Sequence, residues 1–84
     1  MSREIVLTLI GKPGCHLCDD AELAVSSVLK DVSKAVSLKK VNILNDSELF
    51  DKYSEQIPVL LINGMVHNYW RIDTERLREA LVKA

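Results

Sequence analysis

Two cysteines, two prolines, three glycines, one tryptophan, two tyrosines and one phenylalanine are all that this 84-residue chain holds of those types. The shortage of cysteine excludes a disulfide framework, because small secreted domains stapled in that way carry four, six or eight cysteines. The balance of eleven basic against twelve acidic side chains leaves a net charge of −1. No basic stripe exists to neutralise phosphates or anionic lipid, so neither nucleic acid nor a membrane surface is expected as a partner. No apolar run approaches the ~20 residues that a membrane span needs. Repeats and low-complexity segments are absent, which removes solenoids and collagen-like chains.

What remains is the composition of an ordinary globular domain, 48% hydrophobic and 27% charged, and its length suits one domain over 1–84 with a small core. The apolar run near the N-terminus, "IVLTLIG", follows Arg3 and Glu4 and has no small-residue cleavage site after it, so it reads as a strand and not as a signal sequence. With so few cysteines, a reducing cytoplasm is the expected compartment, and there a Cys-x-x-Cys pair is catalytic or metal-binding more often than a permanent staple.

"EIVLTLIG" (4–11) is almost wholly apolar and rich in β-branched residues, as in a strand covered on both faces. Pro13 and Gly14 break it. From Cys15 onward, Leu17, Ala21, Ala24, Val25, Val28, Leu29 and Val32 recur at helical spacing. "SLKKVNI" (37–43) reads as a second strand. "NDSELFDKYSEQ" (45–56) offers Asn45, Asp46 and Ser47 as helix caps and Leu49, Phe50 and Tyr53 as a buried side. "PVLLING" and "MVHNYW" form a hairpin about Asn63-Gly64. Asp73 then caps a last helix with Leu77, Ala80, Leu81 and Ala84 on its apolar stripe. The order is βαβαββα. The βαβ unit must be parallel and the hairpin antiparallel, which predicts an α/β fold with a four-stranded mixed sheet and helices on both faces.

Within "GKPGCHLCDD" (11–20), Cys15 and Cys18 are three positions apart at a helix start, on one face and within reach of a disulfide. Cys15 sits against the unpaired N–H groups and the positive end of the helix, which favour a thiolate, so it is the expected nucleophile. Lys12 and a protonated His16 add to that effect, and Asp19 and Asp20 oppose it. Cys18, deeper in the helix, suits a resolving thiol. The bland alternative is two small half-buried residues. A structural zinc site would need four ligands, and only His16 and His67 are in reserve, so no metal site is expected. His16 reads as an exposed tuning residue and His67 as plain surface.

Together the strand, "KPGCHLC", the helix, "QIPVLLING" and the terminal helix resemble the thioredoxin fold, and most closely small glutaredoxin-like proteins. The resemblance spans nearly the whole chain. It implies that Lys12 meets a carboxylate of glutathione. It also implies that Ile57 and a cis Pro58 face the cysteines, with the Ile57 backbone pairing to a bound peptide or glutathione. Gly14 and His16 would line the same site. Where glutaredoxins usually have a Gly-Gly bend and an acidic pair, this chain has "HNYWRIDTE", similar to a subfamily of short glutaredoxin-like proteins. Tyr69, Trp70 and Arg71 could form a substrate rim, but alternation along a strand favours one ring in the core and the other at an edge. Asp73 reads as a helix cap ahead of a glutathione ligand.

The expectation is a dithiol–disulfide oxidoreductase of the glutaredoxin-like kind, with no tightly bound cofactor and glutathione as a cosubstrate. Its partners would be a disulfide-containing protein or glutathione and a thiol reductase that recycles it, and the chain would be a monomer. The alternatives are a binding module that holds an iron–sulfur cluster or soft metal through Cys15, and an interaction domain whose cysteines sense redox state.

Overall fold

In the computed structural model, which describes residues 4–83, the seven expected elements occur in the expected order. They are β1 (Ile5–Gly11), α1 (His16–Asp31), β2 (Val36–Asn42), α2 (Ser47–Tyr53), β3 (Val59–Ile62), β4 (Met65–Tyr69) and α3 (Thr74–Lys83). A short 3₁₀ turn (Ile43–Asn45) joins β2 to α2. The sheet order is β2-β1-β3-β4. β1 runs parallel to β2, whereas β1–β3 and β3–β4 are antiparallel. The mixed pairing follows from the connections, since the long α1 crossover permits a parallel neighbour and the two-residue turn does not. Ala84, the last residue of the expected α3 stripe, lies outside the described residues.

Alternation along β1 divides the core. Ile5, Leu7 and Leu9 point to one face, where they meet Ala21, Val25 and Val28 of α1, Leu60 of β3, and Leu77 and Leu81 of α3. Ile10 points to the other face and packs with Ile43, Tyr53 and Val59. Leu77 and Leu81 are fully buried, and truncating a leucine so placed costs roughly 2–5 kcal/mol, which is enough to moor α3. The second face is thinner than the sequence predicts. α2 covers only the end of β1 near Ile10, so Val6 is exposed and Thr8 half-buried. Phe50 is also exposed, contrary to expectation, because a two-turn helix presents only Leu49 and Tyr53 to that small cluster.

The caps agree with the sequence. Asp46 accepts from the N–H groups of Glu48 and Leu49 at 3.0 and 3.1 Å, and Asp73 accepts from the N–H of Arg76 at 3.1 Å. The hairpin turn takes positive φ at both Asn63 (50°) and Gly64 (86°), which is the geometry that Asn-Gly favours. Asn63 has a second duty: its Oδ1 accepts from the N–H of Val6 at 2.9 Å, and its own N–H donates to the Val6 carbonyl at 2.8 Å. The β3–β4 turn is thereby tied to β1.

β4 carries a bulge. Leu61 pairs with Val66 but Leu60 pairs with Asn68, so His67 is the extra residue. An extra residue interrupts the alternation of faces, and His67 is half-buried with its Nδ1 out of solvent and without a hydrogen-bond partner. This corrects its reading as plain surface. Burial lowers the His67 pKa from its ordinary value, and Arg76 lowers it further, against smaller opposing contributions from the Arg76 backbone and Asp73. With the folded pKa below the unfolded one, the contribution of His67 is intact above pH 6.5 and is lost as pH falls through the folded value. The urea midpoint should therefore fall between pH 7 and pH 5, and His67→Gln should flatten that fall. An unchanged slope in the variant would exclude His67 as its source.

Candidate active site

The Pro13-Gly14 loop delivers the chain from β1 into α1, and Gly14 takes a φ of +76° to make the turn. Cys15 follows as the N-cap of α1 in extended conformation, with its Sγ accepting from the N–H of Cys18 at 3.2 Å. The two cysteines form a disulfide across a Cα–Cα distance of 5.2 Å. Cys15 is half-exposed and Cys18 buried. That asymmetry follows from their positions: the N-cap stands free of the helix, whereas Cys18 shares the inward face with Ala21 and Val25. His16 is exposed at the first helical position.

Cys18 rests on Gly11, the last residue of β1. A Cβ at position 11 would lie 2.9 Å from the Cys18 Sγ and 3.1 Å from its Cβ. Sequence reasoning missed this role of Gly11. The available signal was a glycine closing an otherwise bulky strand, a position where close approach of another group is common.

The register that pairs Ile10 with Val59 brings the start of β3 to the same end of the sheet. There the Ile57–Pro58 peptide bond is cis. Pro58 is buried, and the Ile57 side chain packs into the α2-side cluster. The Pro58 carbonyl accepts from the N–H of Trp70 at 2.8 Å, so the end of β4 joins the site as well.

Trp70 departs from expectation. It and Tyr69 are both exposed, neither ring enters the core, and the two meet edge-on with centroids 5.0 Å apart. Trp70 has a φ of +66°, in the left-handed region where a residue with a Cβ costs roughly 1–2 kcal/mol. A left-handed Trp70 breaks the strand alternation that favoured one buried ring. Its indole Nε1 donates to the Glu55 carbonyl at 3.1 Å. Trp70, Arg71 and Ile72 face Leu17, Asp20 and Ala21 of α1 across a surface cavity of about 220 Å³. Asp73 is occupied as a helix cap, and its N–H donates to Asn68 Oδ1 at 3.2 Å.

Lys12 is exposed on the other side of the cysteines. It borders a second cavity of about 250 Å³, between α1 and β2, together with Gly11, Cys18, Glu22 and Lys40. The site residues expected from sequence thus converge on one end of the sheet but on different sides of the disulfide. Among the described residues, no group of three or more His, Cys, Asp and Glu side chains could hold a metal ion. No helix among the described residues is long and apolar enough to cross a membrane.

A four-stranded mixed sheet, a disulfide at the start of the first helix and a cis-proline on the neighbouring loop define a thioredoxin-fold protein. The chain belongs to the glutaredoxin-like family: residues 6–82 match the Glutaredoxin-like domain (DUF836). It is 33% identical to protein XcR50 from X. campestris, whose crystal structure superposes with a TM-score of 0.75 over 93% of this chain and 97% of that one. An uncharacterized protein of Mycobacterium tuberculosis is 26% identical over 91 residues, spanning 100% of this chain and 89% of that protein. A malaria-parasite thioredoxin-2 structure shares the fold at 19% identity, with a TM-score of 0.70 over 100% of this chain and 86% of that one.

Two substitutions test this geometry. Gly11→Ala forces its methyl against a sulfur that the disulfide tethers, so the oxidised form should lose about 1–3 kcal/mol, and the reduced form, in which Cys18 is free to rotate, should lose less. Equal losses in urea denaturation of the two forms would refute the contact. At position 70, Ala and Gly both lose the indole contacts, but only Ala retains the left-handed penalty. Trp70→Gly should therefore be about 1 kcal/mol more stable than Trp70→Ala, and the reverse order would contradict the left-handed backbone.

Proposed function

We propose that the protein is a thiol–disulfide oxidoreductase acting on protein disulfides or glutathione mixed disulfides. The observation that carries this reading is the unequal pair at the start of α1: a half-exposed Cys15 whose sulfur receives a backbone N–H, and a buried Cys18 behind it. An N–H aimed at sulfur, with the positive end of the helix, stabilises the Cys15 thiolate once the pair is reduced. The thiolate attacks a substrate disulfide, forms a mixed disulfide and expels one substrate thiolate. Cys18 gives up its proton and attacks the Cys15 sulfur, which closes the Cys15–Cys18 disulfide and releases the second substrate thiolate. Two electrons pass from the dithiol to the substrate, and a thiol reductase or glutathione returns them.

The neighbours serve that sequence. The Ile57–Pro58 backbone offers the wall against which a substrate chain lies, with Gly14 leaving open space beside the attacking sulfur. Lys12 adds positive charge near Cys15, and the exposed His16 follows it at the first position of the helix. The exposed Tyr69 and Trp70 form the far rim, well suited to hold an apolar side chain of the substrate. No bound cofactor is needed, a monomer suffices, and a reducing compartment such as the cytoplasm suits the chemistry.

Cys15→Ser should reduce reduction of insulin and of glutathione mixed disulfides to the uncatalysed background, and Cys18→Ser should accumulate a mixed disulfide on Cys15 detectable by mass. Retained turnover in Cys15→Ser would sink the proposal.

A further inference from the structure

Among the described residues, Asn63 and Trp70 are the non-glycines at positive φ, and Trp70 is the bulky one. A backbone outlier of that kind persists only where its surroundings fix it, and such outliers cluster at functional sites. The ties of Trp70 run to the site: its N–H donates to the Pro58 carbonyl at 2.8 Å and its Nε1 to the Glu55 carbonyl at 3.1 Å. Trp70 is thereby fixed as part of one wall of the surface cavity of about 220 Å³. Leu17, Ala21 and Ala24 of α1 form the apolar part of the facing wall, and Ile72 stands beside Trp70. Leu17 lies two residues after Cys15, so the two Cα atoms are at most ~7 Å apart at ~3.3–3.6 Å per residue. A substrate residue next to a cysteine bonded to Cys15 therefore reaches this cavity. Pockets that hold a whole small molecule measure ~300–1,000 Å³, so this smaller one suits a single side chain. Asp20 on the α1 wall and Arg71 on the other carry opposite charges, which offset each other and favour neither an anionic nor a cationic occupant.

We infer that this cavity takes one apolar side chain of a protein substrate, beside the cysteine under attack, and that Trp70 thereby selects disulfides of protein chains over disulfides of glutathione. The inference rests on the oxidoreductase reading and narrows its substrate class. Glutathione flanks its cysteine with a γ-glutamyl group and a glycine, so it is anionic and offers no apolar side chain. A leucine, isoleucine or methionine beside the cysteine of a protein covers Leu17 and the indole, both of which are exposed, and the gain grows with the apolar area removed from water. Bonds and electrons move as in the parent reaction. Trp70 is a specificity-determining residue, since it meets the neighbour of the reacting cysteine and not the sulfur.

The test mixes the reduced full-length protein with each of three symmetric disulfides and follows the rate of attack by quenching and mass. The first is a peptide with leucine next to its cysteine, acetylated and amidated to remove the terminal charges. The second is the same peptide with glycine in place of that leucine, and the third is oxidised glutathione. Attack on none of the three by the wild-type protein would overturn the oxidoreductase reading itself. With attack present, the leucine peptide should react about tenfold faster than either of the others, the low end of the ~10–200-fold that an apolar pocket gives for a methylene, because this cavity lies at the surface. Ala24→Leu, which fills the cavity from α1 and leaves Trp70 in place, should bring the two peptides close to equal rates. Trp70→Ala should act in the same sense, and the ratio of rates is insensitive to any fraction of the variant that is unfolded. Equal rates for the two peptides in the wild type, or a faster reaction with oxidised glutathione, would overturn the subsite. So would a leucine preference that Ala24→Leu and Trp70→Ala both retain in full.

Discussion

The contact between Gly11 and Cys18 is the constraint on which the rest of the site depends. It fixes how closely the first turn of α1 can approach the end of β1, and the approach leaves no room for a methyl group. Once Cys18 is seated there, Cys15 is carried outward to the N-cap, where its sulfur receives the Cys18 N–H. The same inward face continues through Ala21, Val25 and Val28 into the larger core. Helix seating and thiol chemistry are thus one packing problem. The glycine gives up β-strand propensity, worth about 0.5–1 kcal/mol relative to alanine, and an alanine that regained it would meet a clash that costs more.

The two faces of the sheet divide the labour unevenly. The α1 and α3 face holds the long apolar rows and most of the fully buried side chains. The α2 face is covered chiefly near Ile10, Val59 and Tyr53, at the end where Ile57 and Pro58 lie. The smaller cluster therefore supports the Ile57–Pro58 segment at the cysteine end of the sheet, although it covers little of the sheet. Four strand ends and one helix start meet at that end, because β1 has a parallel partner on one side and an antiparallel hairpin on the other.

Much of this was legible in the sequence because the signals were local. Apolar periodicity marked the helices, Asn63-Gly64 marked the hairpin, Asp46 and Asp73 marked caps, and Cys15-x-x-Cys18 marked a helix start. What the sequence concealed depended on contacts between distant segments. Gly11 matters through a sulfur seven residues away. His67 became half-buried where a bulge displaced the alternation of β4. Phe50 stayed exposed because a short α2 has a narrow buried side. Trp70 defied the strand rule because its backbone is left-handed, a conformation that no residue-type preference would assign to tryptophan. Lys12 and Glu22 fall beside one cavity only once α1 and β2 have packed.

Trp70 shows how such a conformation is held. The left-handed backbone costs roughly 1–2 kcal/mol. Against it stand the Nε1 bond to the Glu55 carbonyl, the edge-on contact with Tyr69 and the N–H bond to the Pro58 carbonyl. Hydrogen bonds of this kind contribute about 0.5–1.5 kcal/mol each, and an aromatic pair adds a similar amount. The sum matches or exceeds the penalty, so the residue can persist there without a glycine. The result is a bulky indole at the rim where glutaredoxins usually bend on glycine, joined by hydrogen bonds to both ends of the segment that carries the cis-proline. The rim and the proline loop are therefore tied together by hydrogen bonds, and an opening lies between the rim and the start of α1. The opening is set by the seating of α1, which returns control of its width to Gly11 beneath Cys18.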